Sequence, residues 1–163
     1  ATITAVGNDV GFENVFARQL IPLARHEDVA LAISTSGSSP NVVAALEDAS
    51  GADLSHFKLW YSQAGTPRLA VSERYDAAAK TYSLTFRQSC PPTPGQSEKL
   101  AFVIPVSLGL LDGQGNEIAL RLQGEDAAVV TTRVLAVDQP EQTFTFVDVP
   151  EQPLPSLLNI VRW

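Results

Sequence analysis

KTYSLTFRQSCPPTPGQSEKLAFVIPVSLGLLD, residues 80–112, decides the fold. In KTYSLTFRQ (80–88) apolar residues fall at every second position, which is the period of a half-buried strand. KLAFVIPVSLGLLD (99–112) is a longer apolar run of the same kind, and the Pro/Gly cluster PPTPGQ (91–96) between them reads as a loop. The period of two extends outward from this centre. RLAVSERYD (68–76) precedes it, and EIALRL (117–122), AVVTTRVLAV (128–137) and QTFTFVDV (142–149) follow. The turn cluster DGQGN (112–116) separates two of these runs, and LLNIVRW (157–163) offers a seventh. Short strands at such spacing imply an antiparallel sandwich of about seven strands, immunoglobulin-like in plan.

Upstream of residue 50 the pattern differs. GFENVFARQLIPLA (11–24) places Phe12, Val15, Phe16, Gln19, Leu20 and Leu23 at helical spacing, with Pro22 tempering the last turn. VALAIS (29–34) has the continuous apolar character of a buried parallel strand. Ser39-Pro40 then opens a helix through NVVAALEDA, since proline suits a first helical position. DLSHFKLWYSQ (53–63) reads as a further helix capped by Asp53, with Leu54, Phe57 and Trp60 or Tyr61 on one face. The fold class is therefore α+β: a helix–strand–helix segment over 1–49, a connecting helix in 50–66, and a β-sandwich over 67–163.

Composition narrows function. Of 163 residues, 45% are hydrophobic and 18% charged, a globular balance, and the net charge is −7. A chain this acidic lacks the Lys/Arg excess that a nucleic acid or an anionic membrane requires, so neither is an expected partner. No apolar run approaches the ~20 residues of a membrane span. No basic-then-apolar leader is present, and a chain without methionine that starts at Ala1 reads as an excised segment. The single cysteine, Cys90, forms neither an internal disulfide nor a thiolate zinc site, and an inert thiol is expected. Glu47-Asp48 and Glu125-Asp126 read as solvated helix-end and loop charges, His56 as a residue of a polar face, and Trp60, Phe57 and Tyr61 as packing residues.

STSGSS (34–39), between the strand and the helix, has the composition of a phosphate cradle. Its hydroxyls donate, Gly37 permits close approach, and a helix N-terminus favours negative charge. A Ser/Gly loop that caps a helix without a ligand has the same composition, so phosphate or sulfate binding is one of two readings.

Two resemblances accompany these patterns. VGND (6–9), F-x-R (16–18) and AISTSGSSPNVVAAL (32–46) resemble the middle of a sugar isomerase (SIS) domain of the phosphoheptose isomerase family. That resemblance implies a Rossmann-like origin for residues ~1–49. It also implies vestigial phosphosugar-binding roles for Ser34, Thr35, Ser36 and Ser39, with Asp9 in the acidic substrate-contacting position. DLSHFKLWYSQAGTP (53–67), YDAAAKTYSLTFRQ (75–88), PPTPGQSEKLAFVIPVSLGLLDGQG (91–115) and EQTFTFVDVPEQPLPSLL (141–158) are similar to bacterial aminopeptidase N. Over ~45–158 this second resemblance implies the end of a zinc-peptidase catalytic domain followed by its β-sandwich.

The chemistry of both families is expected to be missing. Aldose–ketose isomerisation needs an acid and a base across a carbonyl. The isomerase family's Glu and His lie on a helix that the resemblance does not reach, and His26 in ARHED reads as a surface histidine. A zinc peptidase needs H-E-x-x-H, yet His26-Glu27 is followed by Ala30 where the second His belongs. No catalytic residue, metal ligand or cofactor is therefore assigned. The resemblances meet near ALEDAS (45–50), which reads as the junction of a chimera, artificial or recombinational, without native activity. Its strand at Val29–Ser34, having lost its neighbours, is expected to pair two copies into a dimer. Both families are cytoplasmic, so the same location is expected here.

Overall fold

The computed structural model describes residues 2–25, 28, 39–51, 53–128 and 130–158. The chain divides into two compact units, Ala1–Ala64 and Gly65–Trp163.

The first unit is helical where it is described. Helix α1 spans Thr2–Val10, a 3-10 turn Phe12–Asn14, α2 Ala17–Leu20, α3 Pro40–Ser50 and α4 Leu59–Ser62. Thr4, Val6 and Val10 make α1 a poor intrinsic helix, so β-branched propensity is overridden here. The single amphipathic helix expected over 11–24 is broken. Gly11 takes φ 93°, outside the helical region, and the Asn14 side-chain amide donates to the Val10 carbonyl (2.7 Å), closing off the end of α1. Pro22, which has no N–H, follows α2 closely. Of the apolar face read from the sequence, Val15 is buried, as is Ala17, whereas Phe12 and Leu23 are exposed. Helix α2, which carries Ala17, packs on α3, whose Asn41, Val43 and Ala45 are buried, and so builds a small core. Helix α3 begins where Ser39-Pro40 predicts and ends at Gly51, in the left-handed region (φ 68°), whose N–H donates to Glu47 O (2.8 Å). The expected helix 53–63 is shorter. Asp53 Oδ1 accepts the Ser55 N–H (2.8 Å) and so caps a turn, and helical structure is confined to Leu59–Ser62. The strand expected at Val29–Ser34, and the dimer contact assigned to it, lie outside the described residues.

The second unit is an antiparallel sandwich. Strands β1 (Arg68–Asp76), β2 (Thr81–Ser89) and β6 (Glu141–Phe146) form one sheet in the order β1-β2-β6. In the other sheet β3 (Ile104–Leu111) is central. It pairs with β5 (Thr132–Val137) and the short β4 (Glu117–Ile118) along one edge, and with β7 (Leu154–Leu158) along the other. The alternation in TYSLTF works as the sequence predicts: Tyr82, Leu84 and Phe86 are fully buried. They face a core completed by Phe102, Ile104, Val106, Leu108, Leu110, Leu120, Leu135, Val137, Phe146 and Val149. On the outer face of β2 and β6, Ser83 pairs with Thr145 (3.0 Å), Thr85 with Thr143 (2.8 Å), and Arg87 with Glu141 (2.9 Å). This is the solvated side of a half-buried sheet.

The chain changes sheets after β4. Leu120 bridges Val130, and two residues later Leu122 bridges Phe146 on the free edge of β6. Gln123 N–H donates to Thr145 O (2.8 Å) and Val147 N–H to Arg121 O (2.9 Å), so residues 121–123 close that edge. A segment that belongs to both sheets holds the two layers in register.

Candidate functional site

The residues singled out from the sequence are only partly within the described structure. Asp9 lies in the last turn of α1 and is exposed. Ser39 is the N-cap of α3, in extended conformation (φ −63°, ψ 115°). Its carbonyl accepts the N–H groups of Val42 (3.0 Å) and Val43 (3.1 Å), while its hydroxyl makes no capping bond. Ser34, Thr35 and Ser36 lie outside the described residues, as do His26 and Glu27. Asn41, the second residue of α3, is nearly buried and its Oδ1 accepts the Val42 N–H (2.9 Å). The start of α3 is therefore preformed by backbone and Asn41, before any ligand is considered.

Among the described residues, no three His, Cys, Asp or Glu side chains come together as a metal-binding group. His56 sits half-buried in the turn before α4. Cys90 is also half-buried, its thiol directed at Pro91 O at the long distance of 3.9 Å. A crevice of about 60 Å³ beside it is lined by Gln88, Ser89, Lys99 and Pro140. That is room for a couple of waters, well below the ~300 Å³ of a small ligand site. The Lys99 ammonium beside it donates to Thr93 Oγ1 (2.6 Å) and Gln96 Oε1 (3.2 Å) and braces the Pro-rich loop. A broader, open depression is lined by Ala119, Ala128, Val130, Thr131 and Thr132, none of which ionises near neutral pH.

The densest electrostatic cluster is one the sequence reading missed. Glu125, read as a solvated loop charge, accepts the Leu122 N–H (2.9 Å) and is gripped through both carboxylate oxygens by Arg133 Nη1 (2.8 Å). The Leu122 N–H first, then Arg133, hold its carboxyl below the usual range. Arg121 donates to the Glu125 carbonyl (3.5 Å) and pairs with Asp148, which adopts a left-handed φ of 58°. Arg121 Nε is buried and has no hydrogen-bond partner among the described residues. The cluster pins the sheet-changing segment to β5 and to the end of β6. Arg121 and Glu125 are only four residues apart, but Arg133 and Asp148 join them from further along the chain, so the cluster as a whole follows no local pattern. A second pair, Tyr82 with Glu73, lies at the margin of the core. Burial first, then the Glu73 carboxylate, push the Tyr82 phenol far up, so it stays a donor. These are framework contacts, and each closes a boundary of the sandwich.

Two antiparallel sheets over one core, joined by a segment that switches between them, define an immunoglobulin-like β-sandwich. The chain belongs to the family described as a domain of unknown function (DUF3458) with an Ig-like fold, matched over residues 65–160. It is 39% identical over 149 residues to aminopeptidase N of Escherichia coli (strain K12), covering 91% of this chain and 16% of that protein. A solved structure, Legionella pneumophila aminopeptidase A in complex with aspartic acid, superimposes with a TM-score of 0.55 at 30% identity. That match covers 72% of this chain and 12% of the other. The N-terminal stretch is 57% identical over 49 residues to phosphoheptose isomerase of Solidesulfovibrio magneticus, 30% of this chain and 24% of that enzyme. The resemblances read from the sequence are both present. An aminopeptidase likeness that covers 91% of the chain also overlaps the isomerase-like stretch, so the two do more than meet at ALEDAS. The chain spans about a sixth of the aminopeptidase and a quarter of the isomerase it matches. Among the described residues, no helix is long and apolar enough to cross a membrane.

Proposed function

We infer that this chain joins an isomerase-like fragment to an aminopeptidase-like sandwich, and that the sandwich acts as a scaffold while neither parental reaction is catalysed. The observation that carries this reading is the filled interior of the sandwich, where Tyr82, Leu84, Phe86, Phe102 and Phe146 are all buried. The aminopeptidase-like part that folds into a closed core is the module whose interior is filled by its own side chains, from Tyr82 to Phe146. A filled core supports neighbours and offers no chamber for a substrate. Sequence chemistry agrees, since His26-Glu27 is followed by Ala30 and not by a second zinc-binding His. The test is direct. With zinc supplied, hydrolysis of aminoacyl p-nitroanilides and conversion of sedoheptulose 7-phosphate are both expected at the rate of the blank. Turnover above it in either assay rejects the reading.

A second reading is favoured by one observation, the extended Ser39 N-cap and Pro40 at the head of the eleven-residue α3. A phosphosugar or free anion held by Ser34, Thr35, Ser36 and Ser39 would use that helix start. Calorimetric titration with sulfate and with sedoheptulose 7-phosphate separates the readings. Saturable heat that Ser36→Ala abolishes supports the anion module, and a flat titration supports the scaffold alone.

A further inference from the structure

β1 is the outer strand of the three-stranded sheet, and its backbone hydrogen bonds go to β2. Along Arg68–Asp76 no backbone bond reaches any other described residue. Such an edge is a nine-residue template for another strand. Its core-facing side is unfinished. Val71 stands opposite the fully buried Phe86 but remains 41% exposed. Its outer side carries Arg68 and Arg74, neither of which has an ion-pair partner among the described residues.

Edge charges commonly discourage pairing, and here their order along the strand also selects a partner. When two copies of β1 pair antiparallel about a twofold axis normal to the sheet, opposed residues must share a face. Three central registers satisfy this. An axis at Val71 sets Arg68 against the partner's Arg74, twice over. An axis at Glu73 sets Glu73 against the partner's Glu73. An axis at Ser72 uses the whole strand. It sets Arg68 against the partner's Asp76 at both ends, Leu69 against the partner's Tyr75, and Val71 against the partner's Glu73. Opposite charges directly across a ladder stabilise it, and like charges oppose it.

We propose that β1 is a docking surface for a second copy of this chain, paired antiparallel about Ser72 so that Arg68 of each copy meets Asp76 of the other. The result is one continuous sheet across two sandwiches. Unlike the pairing expected through residues 29–34, it uses the second unit alone.

Sedimentation equilibrium of the full chain and cysteine trapping test it together. In a Cys90→Ala background, Val71→Cys, Ser72→Cys and Glu73→Cys each place the new thiol on the axis of one register. Opposed Cα atoms in an antiparallel pair lie about 4.5–5.5 Å apart, within disulfide reach. Rapid crosslinking is expected for Ser72→Cys and not for the other two. Arg68→Asp is expected to weaken the dimer roughly tenfold, since two attractions become two repulsions. Circular dichroism confirms that this variant keeps its fold. Three outcomes overturn the proposal. One is a monomer at every concentration tested. Another is faster trapping at residue 71 or 73. The third is a dimer that Arg68→Asp leaves unchanged, which assigns the contact to residues 29–34 or to the exposed Val134 and Leu154 of the other sheet.

Discussion

Gln88 presents Phe102 with a side-chain copy of a peptide group. Its Nε2 donates to the Phe102 carbonyl (2.9 Å), and its Oε1 accepts the Phe102 N–H (2.8 Å). The same Nε2 also donates to Gln139 O (3.0 Å). One amide thus ties the end of β2 to the segment entering β3 and to the turn before β6. Phe102 itself is buried, so these bonds form where water competes poorly. Gln88→Ala is expected to cost about 2 kcal/mol, the penalty of withdrawing partners from buried backbone groups. Gln88→Glu keeps the length but sets a carboxylate against two carbonyls, so it should be no better than alanine. Urea midpoints measure both, and an alanine variant as stable as the parent would remove this clamp from the account.

Phe86 meets Phe144 edge to face, with centroids 5.9 Å apart and planes at 74°. It comes from the middle of β2 and is fully buried, so truncation leaves a hole walled by β-sheet that cannot collapse easily. Phe86→Ala is expected to cost about 3–5 kcal/mol, and Phe86→Leu distinctly less. For a module of ordinary stability the alanine change approaches the full margin. The amide NMR spectrum should lose dispersion in the alanine variant alone. Equal loss in both would indicate that ring geometry outweighs volume here.

The same strand shows what a sequence can reveal. TYSLTF announces its faces by alternation, and β1 occupies the span 68–76 read from RLAVSERYD. Other elements were masked by their own chemistry. Proline conceals the true start of the last strand, which the sequence placed at 157 but which begins at Leu154 and contains Pro155 opposite Leu110. Pro105 lies in central β3, but before the part that β7 covers, where among the described residues only the β5 edge is paired. In the first unit, helical spacing over 11–24 was genuine, yet Gly11, Asn14 and Pro22 divided the run. For the candidate site, Ser39-Pro40 marked a helix start correctly because capping is local. The Glu125 cluster escaped because two of its members, at 133 and 148, join Arg121 and Glu125 only after both sheets have formed.

Gly51 closes α3 in the left-handed region, and an added Cβ there would meet nothing within 4 Å. Any penalty at this position is therefore conformational and not steric crowding by neighbours. Gly51→Ala should destabilise the first unit by about 1 kcal/mol, and Gly51→Asn by less, since asparagine tolerates this region better. Thermal melts followed by helical circular dichroism report the order. Equal cost for both would mean that the Gly51 N–H bond to Glu47 O, and not φ, sets the helix end.

Glu125 links the sandwich to pH. Its carboxyl is held below the ordinary value of 4.5, first by the Leu122 N–H and then by Arg133. A depressed folded-state value means that the unfolded chain binds the proton more readily. The stabilisation is thus present in full above the unfolded pKa and fades as the pH falls through the folded one. Glu125→Gln should lower the melting temperature at neutral pH and converge with the parent below the folded-state value. Exposure of the carboxylate and screening by salt keep the effect small, and high ionic strength should shrink it further. Arg133→Gln should reproduce only part of the loss, because the Leu122 N–H remains as the larger influence. If the Arg133 change alone removes the whole pH dependence, the backbone bond is the lesser partner and the order of causes is reversed.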